Sequence, residues 1–222
     1  MGLATPTSDD DHFSVVIPPY DTFLGLGSYP ESRHTVNKEA GTDVHEITLA
    51  RLVKGVIKGR VTDIEPLFGD SMDLVLGIGH DVMAMRPKML SQRMLSPLMG
   101  MIQSQRKLAF KGNGDRFNPE IGYDPKAASH CMRALWQGIR LKRDCKLFMG
   151  FPEDEDSQGY KGGIMKIKMG EMNIDLVINS INMHIELFES IDVHENLPET
   201  VDVEFWEDWL IKAHETKFGI KY

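Results

Sequence analysis

Ser8-Asp9-Asp10-Asp11 runs directly into the β-forming segment His12-Phe13-Ser14-Val15-Val16-Ile17. If extended geometry begins at Asp9, the two-residue period puts Asp9 and Asp11 on one face, with Cα atoms roughly 7 Å apart, and Asp10 on the other. Carboxylates so placed can converge on one or two hard cations. A solvated acidic loop capped by Ser8 is the alternative reading of the same residues. Asp43 opens an Asp-x-x-Glu arrangement with Glu46 where a second strand gives way to a helix, so a third carboxylate can reach the face of Asp9 and Asp11. Three carboxylates on adjacent strands suit two-metal phosphoryl or nucleotidyl transfer. The alternative role for Asp43 is to cap the helix that follows. Lys126, His130 and Arg133 recur at i, i+4 and i+7, which presents positive charge on one helix face towards a triphosphate or an acceptor. Arg93, at the start of the preceding long helix, is placed to do the same. Taken singly, each is equally an exposed or ion-paired helix residue, and His130 a hydrogen-bonded, semi-buried histidine.

The elements that must position these residues follow from period and punctuation. Residues 13–17 form a strand that Pro18-Pro19 ends. A Gly- and charge-rich excursion over residues 25–41 leads to a short, edge-like second strand over residues 42–45. Ile47, Leu49, Leu52, Val53, Val56 and Ile57 then recur at helical spacing until Gly59 stops them. Residues 63–68 make a short turn, and residues 72–78 are apolar but flanked by glycine. Helices are expected over residues 91–110, from Asp124 as N-cap and Pro125 at the first position to Arg143, over residues 173–190, and over residues 202–216. Phe205, Trp206, Trp209 and Leu210 form the apolar face of the last, so the tryptophans are read as core. Residues 153–156 and 159–163 read as a solvated connector. The organisation is a small α/β part over residues 1–80 followed by a helical part over residues 81–222.

The 222 residues suffice for one generous domain or two small ones. A net charge of −8 argues against a protein whose main task is coating nucleic acid, because neutralising phosphates needs a clustered Lys/Arg surplus. Cys131 and Cys145 lack zinc spacing and read as buried, reduced thiols, which suits a cytoplasmic protein. No signal-peptide pattern and no run of 18 apolar residues appears, so no membrane partner is expected. The 14 methionines, among them Met89, Met94, Met99, Met101, Met132 and Met183, read as flexible core packing.

An ordered set of segments resembles a nucleotidyltransferase family of the DNA polymerase β superfamily found in bacteria and bacteriophages. The segments are Gly2-Leu3-Ala4-Thr5-Pro6-Thr7-Ser8-Asp9-Asp10-Asp11, Val15-Val16-Ile17-Pro18-Pro19, Asp43-Val44-His45-Glu46-Ile47, and Lys58-Gly59 with Glu65-Pro66-Leu67-Phe68. They continue with Leu90-Ser91-Gln92-Arg93, Gly100, Gln105 and Gly122-Tyr123-Asp124-Pro125-Lys126-Ala127-Ala128-Ser129-His130, weakening after about residue 150. The resemblance implies an α+β fold with a small mixed sheet of nucleotidyltransferase type ahead of a helical part. It implies metal binding by Asp9, Asp11 and Asp43, and nucleotide binding by Ser8, Arg93, Lys126, His130 and Arg133. Mg²⁺ or Mn²⁺ is the implied cofactor. The implied reaction transfers a nucleoside monophosphate from a nucleoside triphosphate, such as ATP, to an acceptor hydroxyl on a small molecule, a protein or an RNA end. The superfamily's Gly-Ser pair, which holds phosphate through backbone N–H groups and a hydroxyl, is expected about four residues ahead of Gly2-Leu3. The first strand and this cradle are therefore expected to be missing from residues 1–222. Their absence motivates a second expectation, a non-catalytic binding or oligomerisation module with a sheet edge open to a partner strand. A phosphohydrolase using the same carboxylates is a third, and homo-oligomerisation is left open.

Overall fold

The computed structural model describes residues 10–24, 27–37, 39, 41–69 and 77–219. In chain order the elements are β1 (Asp10–Val16), α1 (Asp21–Leu24), β2 (Ser32–Asn37), β3 (Thr42–Thr48), α2 (Leu49–Lys58), α3 (Val61–Ile64), α4 (Ile78–Ala84), α5 (Leu95–Ala109), α6 (Pro125–Asp144), α7 (Glu155–Lys168), α8 (Ile174–Ser190) and α9 (Val203–Phe218). The fold is α+β with a small mixed sheet. It divides into two compact units: a helical one, Leu90–Glu199, and a sheet-bearing one made of the described residues of Ala4–Met89 and Thr200–Tyr222.

In the sheet-bearing unit the strand order is β1-β3-β2, with β1 parallel and β2 antiparallel to β3. Two expectations are corrected here. The strand at Thr42 is central rather than an edge, and it runs on through Glu46 and Ile47 to Thr48 because it has a ladder to satisfy on both sides. The Gly- and charge-rich excursion contains β2, whose side chains are mostly exposed. No buried alternation marks that strand in sequence; its backbone pairing with β3 makes it.

Thr48, not Asp43, caps α2: its Oγ1 accepts the Arg51 N–H at 3.1 Å, while Asp43 lies inside β3. Gly59 ends α2 in the left-handed region (φ 67°), its N–H reaching the Gly55 and Val56 carbonyls. Leu49, Leu52, Val53 and Val56 are buried along the inner face of α2. Nearby, the buried carboxylate of Asp63 takes Arg51 at 3.2 Å and Arg60 at 3.6 Å. A Cβ on Gly55 would come within 3.0 Å of the Asp63 Cβ, so α2 and α3 approach as closely as backbone and carboxylate allow. On α9, Trp206 is fully buried and its Nε1–H donates to the Lys88 carbonyl at 3.4 Å, which bears out the core reading.

In the helical unit α6 is the central element. Asp124 caps it as expected, with Oδ1 accepting the N–H groups of Lys126 (2.9 Å) and Ala127 (3.0 Å), and Pro125 occupies the first position. A Cβ on Gly138 would fall 2.5 Å from the Phe188 ring and 3.0 Å from Leu98, so α5, α6 and α8 converge on a position where nothing larger fits. α8 and α9 begin where helices were expected, and the structure shows Asn173 and Asp202 as their N-caps. The long helix starts later, at Leu95, after a 3₁₀ turn over Gln92–Met94. The supposed connector is the helix α7, opened by Asp154, which accepts the Ser157 N–H at 2.9 Å and hydroxyl at 2.8 Å. Ile164 and Ile167 are buried and α7 packs against α6, which overrides the poor propensity of its glycines. Met89, Met94 and Met132 are core, as expected, but Met183 is 60% exposed. Residues 70–76, most of the apolar stretch over residues 72–78, lie outside the described residues.

Asp63→Ala should strand two guanidinium groups against α3. Because Arg60 is half-exposed, the loss should sit below the range for a fully buried pair, at about 2 kcal/mol. Urea denaturation of the full chain should show it as a lower midpoint at unchanged slope.

Candidate functional site

Asp11 lies directly opposite Asp43 across the β1/β3 ladder, and His34 and Phe13 lie opposite His45 from β2 and β1. Directly opposed residues project to the same side of a sheet, so Asp11, Asp43, His34 and His45 share one face. Ring contacts run across it, Phe13 to His45 at 5.6 Å and His45 to His34 at 6.1 Å. Asp43 Oδ1 accepts from His34 Nε2 at 2.5 Å, and His45 Nε2 lies 3.0 Å from Ser32 Oγ. Glu46, an odd number of residues from Asp43, belongs to the other face, where it accepts the Tyr29 hydroxyl at 2.9 Å and approaches Arg33 at 3.9 Å. The Asp-x-x-Glu spacing therefore divides into a residue for each face.

Ser8 and Asp9 lie outside the described residues. Among the described residues no three His, Cys, Asp or Glu side chains are gathered to hold a metal ion. What the register does gather is a pair of carboxylates, Asp11 exposed and Asp43 half-buried. Like charges directly opposite one another destabilise a ladder. Of the two, Asp43 has a donor in His34. A pair of hard oxygen donors fits Mg²⁺, which is commonly held by one or two carboxylates together with substrate phosphates.

The helical unit holds the second group. Lys126 and His130 are exposed and Arg133 half-buried on one face of α6. Two further cations bear on His130 that the spacing did not reveal, Lys168 at the end of α7 and Arg116 from the loop before α6. The imidazole is held down to about 4, first by lost hydration and then by the charges of Arg133, Lys126, Lys168 and Arg116. His130 still reaches solvent, which weakens the dehydration and leaves the four cations as the firmer cause. Arg116 also pairs with the Asp124 carboxylate at 3.4 Å. Arg93 stands exposed in the 3₁₀ turn before α5, its N–H donating to the Glu199 carbonyl at 3.2 Å. The Cys131 thiol is buried, pushed up to about 12, and lies 3.5 Å from the Ile102 carbonyl, which makes it inert as a nucleophile. No described helix is long and apolar enough to cross a membrane.

No protein-family model, curated protein or solved structure matches this chain. The functional reading therefore rests on the residues themselves. Of the features not anticipated, His34 and Ser32 had no signal because β2 exists only through pairing, and Lys168 had none because α7 read as a connector.

Two outcomes follow from this geometry. Asp11→Asn removes the like-charge opposition, so the metal-free variant should be as stable as the parent or more stable by about 0.5 kcal/mol in urea denaturation. Between about pH 6.5 and 4 an unfolded chain takes up a proton that folded His130 refuses. Stability should therefore be fully present above 6.5 and fall as the pH drops through this window. NMR titration should place the His130 midpoint near 4, and His130→Gln should flatten the acid limb.

Proposed function

We propose that this protein is a metal-dependent nucleotidyltransferase. The observation that carries the reading is the in-register opposition of Asp11 and Asp43 on adjacent parallel strands, an arrangement that costs the sheet stability unless a cation is held there. Asp11 and Asp43 would hold Mg²⁺ or Mn²⁺, with Asp9 as the further ligand that the family resemblance implies. When bound, the metal neutralises triphosphate charge and lowers the pKa of an attacking hydroxyl. His34 keeps the Asp43 carboxylate oriented, and His45, held by Ser32, braces the strand beneath it. In the helical unit Lys126, His130 and Arg133 would take up phosphate charge, with Arg93 in support. A neutral His130 offers one donor and one acceptor rather than a further positive charge. The transfer joins an acceptor oxygen to the α-phosphorus, breaks the α–β phosphoanhydride bond, and releases pyrophosphate and a proton. The acceptor is a hydroxyl on a small molecule, a protein or an RNA end.

A second reading, a non-catalytic binding or oligomerisation module, draws on the outer side of β1, which has no strand paired to it among the described residues. The two separate cleanly. ATP with Mg²⁺ should raise the melting temperature of the full chain by several degrees, corresponding to about 2.7 kcal/mol at a hundredfold excess over Kd. The rise should need the metal and disappear in Asp11→Asn and Asp43→Asn. If none of the four common nucleoside triphosphates gives a metal-dependent shift, and the chain is an oligomer by light scattering, the module reading replaces the enzyme.

A further inference from the structure

α8 is apolar on two sides, and the chain covers only one of them. Val177, Ile181 and Phe188 are buried, with the Phe188 ring lying against Gly138 of α6. About a third of a turn away, Leu176, Met183 and Leu187 stand 58%, 60% and 39% exposed. Ser180 falls between them, four residues after Leu176, so these residues make one stripe about 16 Å long. Single apolar side chains are ordinary on a surface. Three on one stripe of one helix form a continuous patch of the kind that marks a binding surface, and a helix apolar on both sides suits burial on both. Ser180, the small residue of the stripe, also lines a cleft of about 270 Å³ whose apolar lining includes Met132, Ile164 and Ile167. The stripe therefore borders an apolar recess.

The charges of this helix are of one sign. α8 carries Asp175, Glu186 and Glu189 and neither Lys nor Arg. Glu186 and Glu189 stand exposed in the last turn, where the carbonyl end of a helix disfavours anions. Neither is ion-paired among the described residues. Two cations reach α8 from neighbouring helices, and both go elsewhere: Arg106 of α5 donates to Asn182 and Lys142 of α6 to the Phe188 carbonyl, each at 2.7 Å. Covering the stripe thus calls for cations from outside. The stripe of a second α8 would bring more carboxylates and none.

We infer that the outward stripe of α8 is a docking surface for an amphipathic helix of another protein, apolar on its docking face and flanked by Lys or Arg. Its apolar side chains pack on Leu176, Met183 and Leu187, and its cations meet Glu186 and Glu189, the helix-in-groove mode of recognition. The surface lies within the helical unit and does not depend on the metal site.

The test titrates the full chain with a fluorescent peptide of about 18 residues built of Leu and Lys, its leucines spaced to fall on one helix face. Anisotropy reads the affinity, and the ¹³C-methyl resonance of Met183 reads the place. The peptide should bind and shift that methyl. A peptide of the same composition with its leucines spread around the helix should bind at least tenfold more weakly, and one with Glu in place of Lys should not bind. Met183→Glu changes an exposed side chain, so it should melt close to the parent. It should weaken the peptide at least tenfold although it adds a negative charge; general attraction of a basic peptide to an acidic chain would instead strengthen. Replacing both Glu186 and Glu189 with Gln should weaken binding severalfold and flatten its salt dependence. Equal or tighter binding to Met183→Glu, equal binding of the Glu peptide, or an unshifted Met183 methyl would overturn the inference. So would sedimentation showing a dimer that Met183→Glu converts to monomer, which would assign the stripe to a second copy of this chain.

Discussion

The parallel ladder between β1 and β3 sets the terms for the sheet-bearing unit. It places Asp11 against Asp43 and so imposes an electrostatic cost that the backbone pairing must outweigh. The rest of the unit supplies what makes this tolerable. β2 closes the other side of β3 and brings His34 to Asp43. Ile47, fully buried, begins the apolar run that continues through α2, and Thr48 turns strand into helix in a single residue. Asp63, between Arg51 and Arg60, then fixes α3 on α2. Two opposed carboxylates on one face thus stand in a unit where Glu46 and Asp63 have cationic partners, and such departures from local consistency are where function is to be sought.

The helical unit answers a different constraint. α6 is buried along most of its length because α5, α7 and α8 all lie on it. The strip that escapes burial is the one that bears Lys126 and His130, and the concentration of cations there, in a chain of net charge −8, is local rather than global. Such a strip suits one anionic group and not a long polyanion, which would meet repulsion beyond it. Where α7 and α8 lie on α6, an apolar cleft remains, lined by Met132 of α6, Ile164 and Ile167 of α7 and His184 of α8. Tyr123, fully buried, steadies its far end by reaching the carbonyls of Ile167 and Met172 at 3.3 and 3.2 Å.

Local chemistry was legible in the sequence wherever a single turn decides the outcome. Asp124 caps α6 and Gly59 ends α2 as read, and α8 and α9 start at the expected places, because such signals act on N–H or C=O groups within a few residues. Trp206 was legible as core from helical period alone. What failed was whatever depends on distant partners. Asp43 before an apolar-periodic run has the look of a cap, and only the two-sided ladder of β3 keeps it in a strand. Gly159, Gly162 and Gly163 look like a linker, and only burial of Ile164 and Ile167 against α6 keeps them helical.

By itself the sequence determined an α+β chain, most of its helix boundaries, and the residue types of the candidate site: carboxylates near the start and positive charge on the helix that Asp124 opens. These follow from periodicity and capping, which act over a turn or two of chain. The tertiary structure alone decided that Asp11 and Asp43 stand side by side, that His34 rather than a backbone amide attends Asp43, that Lys168 and Arg116 join the charge around His130, and that α7 and α8 part to leave a cleft. Register and helix packing bring together residues tens of positions apart, and no local pattern in the chain encodes that meeting.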